Sequence, residues 1–189
     1  MDKNTTTRPE TRWSARQLAY MAILSSLGAL LAFIAIPLIP GAPTITYDPG
    51  NVPAIIGGFV FGPVAGCIIG ALSLVVHFLL SGDNPVGPLI NMVLLAAVVV
   101  PAALIYRKNK TIPRMVIGLI VGDLVAMALV IPANLVAWYV YAGLAFENSL
   151  PFILSAVMPF NVLKLLINAA LSFVLYAALR PILERSNES

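Results

Sequence analysis

The chain has 189 residues, of which 60% are apolar and only 10% charged, and its mean hydropathy is +0.95. That balance excludes an ordinary soluble domain and predicts an integral membrane protein. The formal charge of +3 carries no nucleic-acid signal, because the basic residues sit at the ends of hydrophobic runs; a lone Cys67 and a lone His77 leave no disulfide framework, metal cluster or nucleophile-base pair.

Residues 1–16, with Lys3, Arg8, Arg12 and Arg16, are too long and polar for a cleaved signal peptide and read as a cytoplasmic tail before a retained first helix. The first span is expected from Gln17 to Ile39, bounded by Arg16 and by Pro37, Pro40 and Gly41. One of its faces carries Ala15, Ala19, Ala22 and Ser26, small residues that let another helix approach closely, inside the bundle or in another subunit. A polar loop over 40–51 follows, rigidified by Pro49 and Pro53, in which Tyr47 and Asp48 are placed to lie over the mouth of a helix bundle. Val52 to Cys67 and Ile68 to Ser81 make about 30 apolar residues broken at Gly62-Pro63, too long for one straight span. They read as the second and third segments. Val86 to Tyr106 is the fourth span, followed by the basic loop of Arg107, Lys108, Lys110 and Arg114. The fifth runs from about Met115 to Ala142, tilted or kinked at Pro132. Leu150 to Met158 is expected as a short interfacial helix, and Pro159 as the first residue of a sixth span ending near Leu179.

The expected fold is therefore an all-α membrane protein, a single domain comprising a six-helix bundle over 17–182 and a second cytoplasmic tail over 183–189. With both termini cytoplasmic, ten of the eleven basic residues fall inside and Asp48, Asp83 and Glu147 fall outside. The remaining basic residue, Lys164, lies within the sixth span.

Polar side chains inside a span are costly and face a bundle interior or a cavity. Those present are His77, Asn91, Asp123, Asn134, Asn161, Lys164 and Asn168. At about 1.5 Å per residue, Asn91 lies roughly 8 Å below the outer surface, and His77, Asn134, Asn161 and Lys164 reach a similar level. Four helices thus raise polar groups toward the Tyr47-Asp48 loop. Asn161 and Lys164 share a helix face at i and i+3 and together suit a ligand rich in carbonyl and ring-nitrogen acceptors. Trp138, Tyr139 and Tyr141 are placed either to stack on a flat ring or to form an interfacial aromatic belt. Asp123 and Asn168 lie deeper and read as interhelical structural groups. Asp123 and His77 could serve a small intramembrane enzyme only if they met, and their expected depths differ; no catalytic residue is assigned.

The chain resembles the substrate-binding S components of energy-coupling factor (ECF) vitamin transporters, most of all their riboflavin-specific branch. The residues that carry the likeness are Ala22-Ile-Leu-Ser25-Ser26, Tyr47 to Gly57, Phe61-Gly-Pro-Val-Ala-Gly66, His77-Phe-Leu, Asn134 and Pro159-Phe-Asn-Val-Leu-Lys164. The resemblance implies a multi-pass plasma-membrane protein of a prokaryote that captures riboflavin, or a flavin mononucleotide relative, at its outer face as transported ligand rather than cofactor. It implies ligand contact at Asp48, Asn134, Asn161 and Lys164, beside Tyr47, His77 and Asn91 from the polar level described above. It further implies docking of Ala22 and Ser26 on a transmembrane coupling subunit served by two cytoplasmic ATPase subunits. The chain has no phosphate-binding loop of its own. It departs from the branch at Ser73 and Leu74, where a Lys, Asn or Asp is usual, a change that leaves other vitamins (cobalamin, pantothenate, thiamine, folate, biotin) as alternatives.

Overall fold

The computed structural model describes residues 13–40, 45–82, 85–143 and 146–187. The expectations for Lys3, Arg8, Arg12, Asp83 and the last two residues, and for the side chain of Arg185, lie outside the described residues. The elements in chain order are α1 (Ala15–Leu31), β1 (Ile36–Pro37), β2 (Thr46–Tyr47), α2 (Val52–Phe61), α3 (Pro63–Ser81), α4 (Val86–Lys108), α5 (Ile112–Ala142), α6 (Phe146–Phe152), a π-helical turn (Ile153–Val157) and α7 (Met158–Asn187). Among the described residues four stretches, Pro63–Ser81, Val86–Lys108, Ile112–Tyr141 and Glu147–Arg180, are helices long and apolar enough to cross a membrane; α1 and α2 are shorter apolar helices.

Helix α1 opens two residues earlier than expected because Ser14 and Gln17 form a reciprocal cap. The Gln17 amide N–H donates to Ser14 Oγ (3.3 Å), and the Ser14 N–H donates to Gln17 Oε1 (3.0 Å). It also ends sooner, at Leu31 rather than Ile39. The chain tightens through i to i+3 bonds from Phe33 and Ile34, and Pro37, which cannot continue a helix, enters a two-residue strand instead. Ile36 pairs with Tyr47 and Pro37 with Thr46, antiparallel. This small β-ribbon folds the segment after α1 back over the helix ends.

The expected break at Gly62-Pro63 is present: helix α2 ends at Phe61 and α3 starts at Pro63. Gly62 takes φ +97° with no room conflict for the reversal, a conformation that favours glycine, and Pro63 starts α3 with the φ a first helical turn requires. Every residue of α2 from Val52 to Phe59 is buried. It packs against α1, α3, α4 and α7, which explains why it is apolar on all sides. The short interfacial helix expected at Leu150 to Met158 is instead α6 and the π-helical turn, which lead into α7.

The most extensive helix pair is α4 against α5. A Cβ built on Gly122 would lie 2.5 Å from the Val98 carbonyl oxygen, so the two backbones approach as only glycine permits. The main core comprises side chains such as Ile55, Phe59, Ile69, Val99, Tyr106 and Met115. At one end of it Tyr106 and Tyr176 share a hydroxyl-to-hydroxyl hydrogen bond of 3.1 Å beside Phe59. The outer surface is apolar, with Leu30, Leu79, Leu124 and Val140 strongly exposed, as suits a lipid-facing bundle. Substituting Gly122→Leu should separate α4 from α5 and lower stability by about 1–3 kcal/mol or more, read as an earlier thermal transition in detergent, whereas an unchanged transition would contradict the close approach.

Candidate ligand-binding site

A cavity of about 640 Å³ opens at the end of the bundle formed by the segment after α1, the last turns of α3, the start of α4, the end of α5 and the start of α7. Its position follows from the shortness of α2. Ala54, near the start of α2, lies against Gly70 of α3. Helix α2 begins only two residues before that contact, at Val52, so the last nine or so residues of α3, about 13 Å of helix, run on to Ser81 with no α2 beside them. Leu74 and His77 therefore face empty space, which the other helices enclose. The described basic side chains Arg16, Arg107, Lys108, Lys110 and Arg114 stand at the start of α1 and at the α4 to α5 connection, the opposite end of the bundle.

Of the seven candidate ligand residues, Asp48, His77, Asn91, Asn134, Asn161 and Lys164 line this cavity. Tyr47 does not. Its side chain is buried and turned down into the bundle, where its hydroxyl donates to Asn168 Oδ1 at 3.0 Å. The pleat of β2 explains the split, because successive residues of an extended chain point to opposite faces: Thr46 lines the cavity and Tyr47 anchors the ribbon beneath it. Burial, with the Asp48 carboxylate beside it, pushes the Tyr47 phenol up to about 12, so it remains a neutral donor at physiological pH. Asn168 is the structural group the sequence predicts, and its partner is the loop.

The Lys164 ammonium donates to Asp48 Oδ2 at 3.0 Å, and the Asp48 Oδ1 accepts the Gly50 N–H at 3.0 Å. One carboxylate thus ties the loop to α7 while bracing its own turn. Lys164 Nζ also stands 6.0 Å from the Phe160 ring centroid. Asn134 and Asn161 are oriented by the same device: each Nδ2 donates to the carbonyl four residues back, Val130 and Val157 respectively, at 2.8 Å. That spends one amide hydrogen and leaves the amide oxygen and a second hydrogen for another partner. Asn91 pairs reciprocally with Asn51, through Nδ2 to Oδ1 contacts of 2.9 and 3.3 Å. His77 packs edge-on against Phe33, with ring centroids 4.6 Å apart.

Trp138 and Tyr141 line the cavity, whereas Tyr139 does not and is exposed; the possible belt therefore divides between cavity wall and lipid face. Phe152 and Phe160, on either side of the π-helical turn, add aromatic wall, and Trp138 meets Phe152 edge-on at 6.1 Å. The cavity-facing direction of Phe160 is not recognisable in the sequence, because the π-helical turn before it rotates the helix faces that follow; Phe152, ahead of that turn, carries no distinguishing sequence signal. Asn51 also passes unnoticed among turn residues, although it fixes Asn91. Asp123 does not line this cavity, so it and His77 do not share a site.

The branch-divergent Ser73 faces away from the cavity. Its hydroxyl is within 2.9 Å of the Ser25 carbonyl and 2.8 Å of the Ile69 carbonyl, joining α3 to α1, while Leu74 supplies apolar wall. On the far side of α1, Ala15, Ala19, Ala22 and Ser26 are all exposed, so this face is not used inside the bundle. The Ser26 hydroxyl is satisfied within the helix by the Ala22 carbonyl at 3.0 Å, leaving a smooth strip. Tyr47→Phe should lower stability by about 1–3 kcal/mol by leaving the buried Asn168 amide unpaired, a loss visible in thermal unfolding; no shift would remove the anchoring role of Tyr47.

The model of the family described as "ECF transporter, substrate-specific component" matches residues 16–176. The chain is 28% identical over 176 residues to the riboflavin transporter RibU of Staphylococcus aureus, spanning 90% of this chain and 93% of that one. It is 29% identical over 180 residues to RibU of Streptococcus thermophilus, covering 90% and 85% of the two chains, and 23% identical over 187 residues to the riboflavin transporter FmnP of Bacillus subtilis, covering 92% and 97%. Among solved structures, the S component of a bacterial ECF transporter superposes with a TM-score of 0.79 at 28% identity, over 89% of this chain and 97% of the other. ThiT from Listeria monocytogenes shares the fold alone, with a TM-score of 0.62 at 16% identity over 92% and 96% of the chains. The apolar helical bundle and the match across nearly all of it lead to one conclusion: the chain belongs to the family of substrate-specific components of ECF transporters, a multi-pass membrane transport protein and not an enzyme.

Proposed function

We propose that this protein captures riboflavin, or a closely related flavin, at the outer face of a prokaryotic plasma membrane for ATP-driven uptake by partner subunits. The observation that carries the reading is the cavity itself. It is large enough for a ligand of drug size and combines a lysine and several amides with the aromatic side chains Trp138, Tyr141, Phe152 and Phe160. It occurs in a chain that aligns over about nine-tenths of its length with riboflavin transporters. A flat, heteroaromatic ligand with several carbonyl and ring-nitrogen acceptors satisfies both sets of groups, the rings by stacking and the amides and ammonium by hydrogen bonding. Ser73 does not favour another vitamin, because its hydroxyl is spent on α1.

In this reading Asp48, His77, Asn91, Asn134, Asn161 and Lys164 contact the ligand, and Tyr47 supports the loop from below. The single membrane domain crosses six times, through α1, α2, α3, α4, α5 and the rod that ends in α7. The ten-residue α2 is tolerated at membrane depth because it is enclosed by protein on every side. The basic end faces the cytoplasm, as the positive-inside rule requires, with both termini there and the cavity outside. The exposed strip of Ala22 and Ser26 docks on a transmembrane coupling subunit driven by two cytoplasmic ATPase subunits.

Purified protein is expected to retain flavin, giving a yellow sample with near-stoichiometric absorption between about 400 and 500 nm, or to quench added riboflavin fluorescence. A colourless sample that fails to quench would remove the vitamin assignment. Lys164→Ala should weaken flavin affinity by about 1–3 kcal/mol, the scale of a hydrogen bond to a charged group, as measured by fluorescence titration; unchanged affinity would remove Lys164 from the contact set. A bulky residue at Ala22 or Ser26, such as Ala22→Trp, should abolish uptake into cells while sparing binding by the purified protein, and undiminished uptake would mean that this strip is not the docking face.

A further inference from the structure

Asn51 is the residue immediately before α2, a position at which an asparagine ordinarily caps its own helix by accepting from a first-turn N–H. Here it does not. Its backbone is already helical (φ −78°, ψ −19°) and its side chain makes no cap bond, so that only its carbonyl joins the helix, accepting the Ile55 N–H at 3.2 Å. The side chain is instead buried, at 7% exposure, and turned across to α4. There Asn51 Nδ2 donates to Asn91 Oδ1 at 2.9 Å, and Asn91 Nδ2 donates to Asn51 Oδ1 at 3.3 Å. Asn91 lines both the main cavity and a small void of about 10 Å³ beneath it, whereas Asn51 lines the void alone. Asn51 therefore stands behind Asn91 and off the cavity wall.

The turn that carries Asn51 has a rigid seat. Gly50 meets α1 backbone to backbone: a Cβ built on Gly28 would lie 2.9 Å from the Gly50 carbonyl oxygen, and one built on Gly50 would lie 2.9 Å from that of Gly28. The Val52 N–H closes the turn on the Pro49 carbonyl at 3.0 Å. An asparagine amide left to itself can flip, exchanging its oxygen for its NH2. In a reciprocal pair neither partner can flip alone, because that would set oxygen against oxygen and NH2 against NH2. We propose that Asn51 is a positioning residue for ligand recognition: held by the turn, it fixes which way the Asn91 amide faces. The pair uses one N–H and one oxygen lone pair of Asn91, and the N–H and lone pair that remain are then offered in one arrangement before the ligand arrives, which removes an ordering cost from binding. The same turn holds Lys164 of α7 through Asp48, so residues 48–51 set polar groups on two walls of the cavity. This role rests on the reading of Asn91 as a flavin contact.

The test is a mutational cycle in riboflavin affinity, read by fluorescence titration of the full-length protein in detergent, with Asn51→Ala, Asn91→Ala and the double variant. Asn51→Ala should weaken binding about tenfold, the scale of one hydrogen bond, although residue 51 lies off the cavity wall. In the Asn91→Ala background the same change should cost less than about twofold, because the group it acts through is gone. In an Asn134→Ala background, which leaves the pair intact, the full loss should persist. Thermal unfolding without flavin checks that each variant is folded; where Asn51→Ala is not, Asn51→Ser, which also removes the amide, takes its place in the cycle. Equal losses with and without Asn91, or no loss from Asn51→Ala, would overturn the proposal, since a general loosening of the turn weakens binding whether or not Asn91 is present. A parent protein that binds no riboflavin would remove the vitamin reading and this role together at the first titration, whereas a parent that binds, with equal losses in the two backgrounds, removes this role alone.

Discussion

An ammonium in an apolar bundle is the constraint around which the upper half of this molecule is arranged. Lys164 has little contact with solvent, its side chain being 11% exposed and that of Asp48 20%. At such exposure an unpaired charge costs several kcal/mol, so the chain must bring an acid to it. Among the described residues no helix supplies a directly paired acid. The acid comes from the loop, which has to fold inward over the helix ends to deliver it. The β-ribbon, the bond from Tyr47 to Asn168 and the brace from Gly50 to Asp48 are the means by which an extended segment is held at that depth. The loop is thereby made part of the cavity wall instead of a tether between helices.

Two regimes of packing follow. In the half that contains α2, contact is as close as backbone allows, with glycine against carbonyl between α4 and α5 and a fully enclosed α2 at the centre. In the other half, polar groups replace close packing, and each amide is directed by a bond to its own helix or to a neighbouring amide. Association of helices in lipid gains little from the hydrophobic effect, so the tightly packed half carries the cohesion that leaves the other half free to be hollow.

Much of this was legible in the residues. The long apolar runs, the break at Gly62-Pro63 and the level at which His77, Asn91, Asn134, Asn161 and Lys164 meet all follow from hydropathy, from proline and glycine chemistry and from a rise of about 1.5 Å per residue. What was not legible depends on contacts remote in sequence. The early end of α1 is set by strand pairing between residues nine and eleven apart, Pro37 with Thr46 and Ile36 with Tyr47. The inward direction of Tyr47 is set by Asn168, 121 residues away. The cavity-facing direction of Phe160 follows a local change of helical pitch just before it that no periodicity in the sequence announces. Asn51 was visible as a turn residue, but its role exists only through its partner on α4.

The length of α2 has a consequence for how such a protein changes what it holds. The cavity opens beyond the start of that helix, none of whose residues lines it, so the depth available to a ligand depends on a residue count as well as on side chains. One more turn of helix at its start would raise the floor by about 5.4 Å, and one fewer would lower it, while the long helices around it kept their positions. Capacity and chemical selectivity are thus carried by separate parts of the chain, and either can drift without the other.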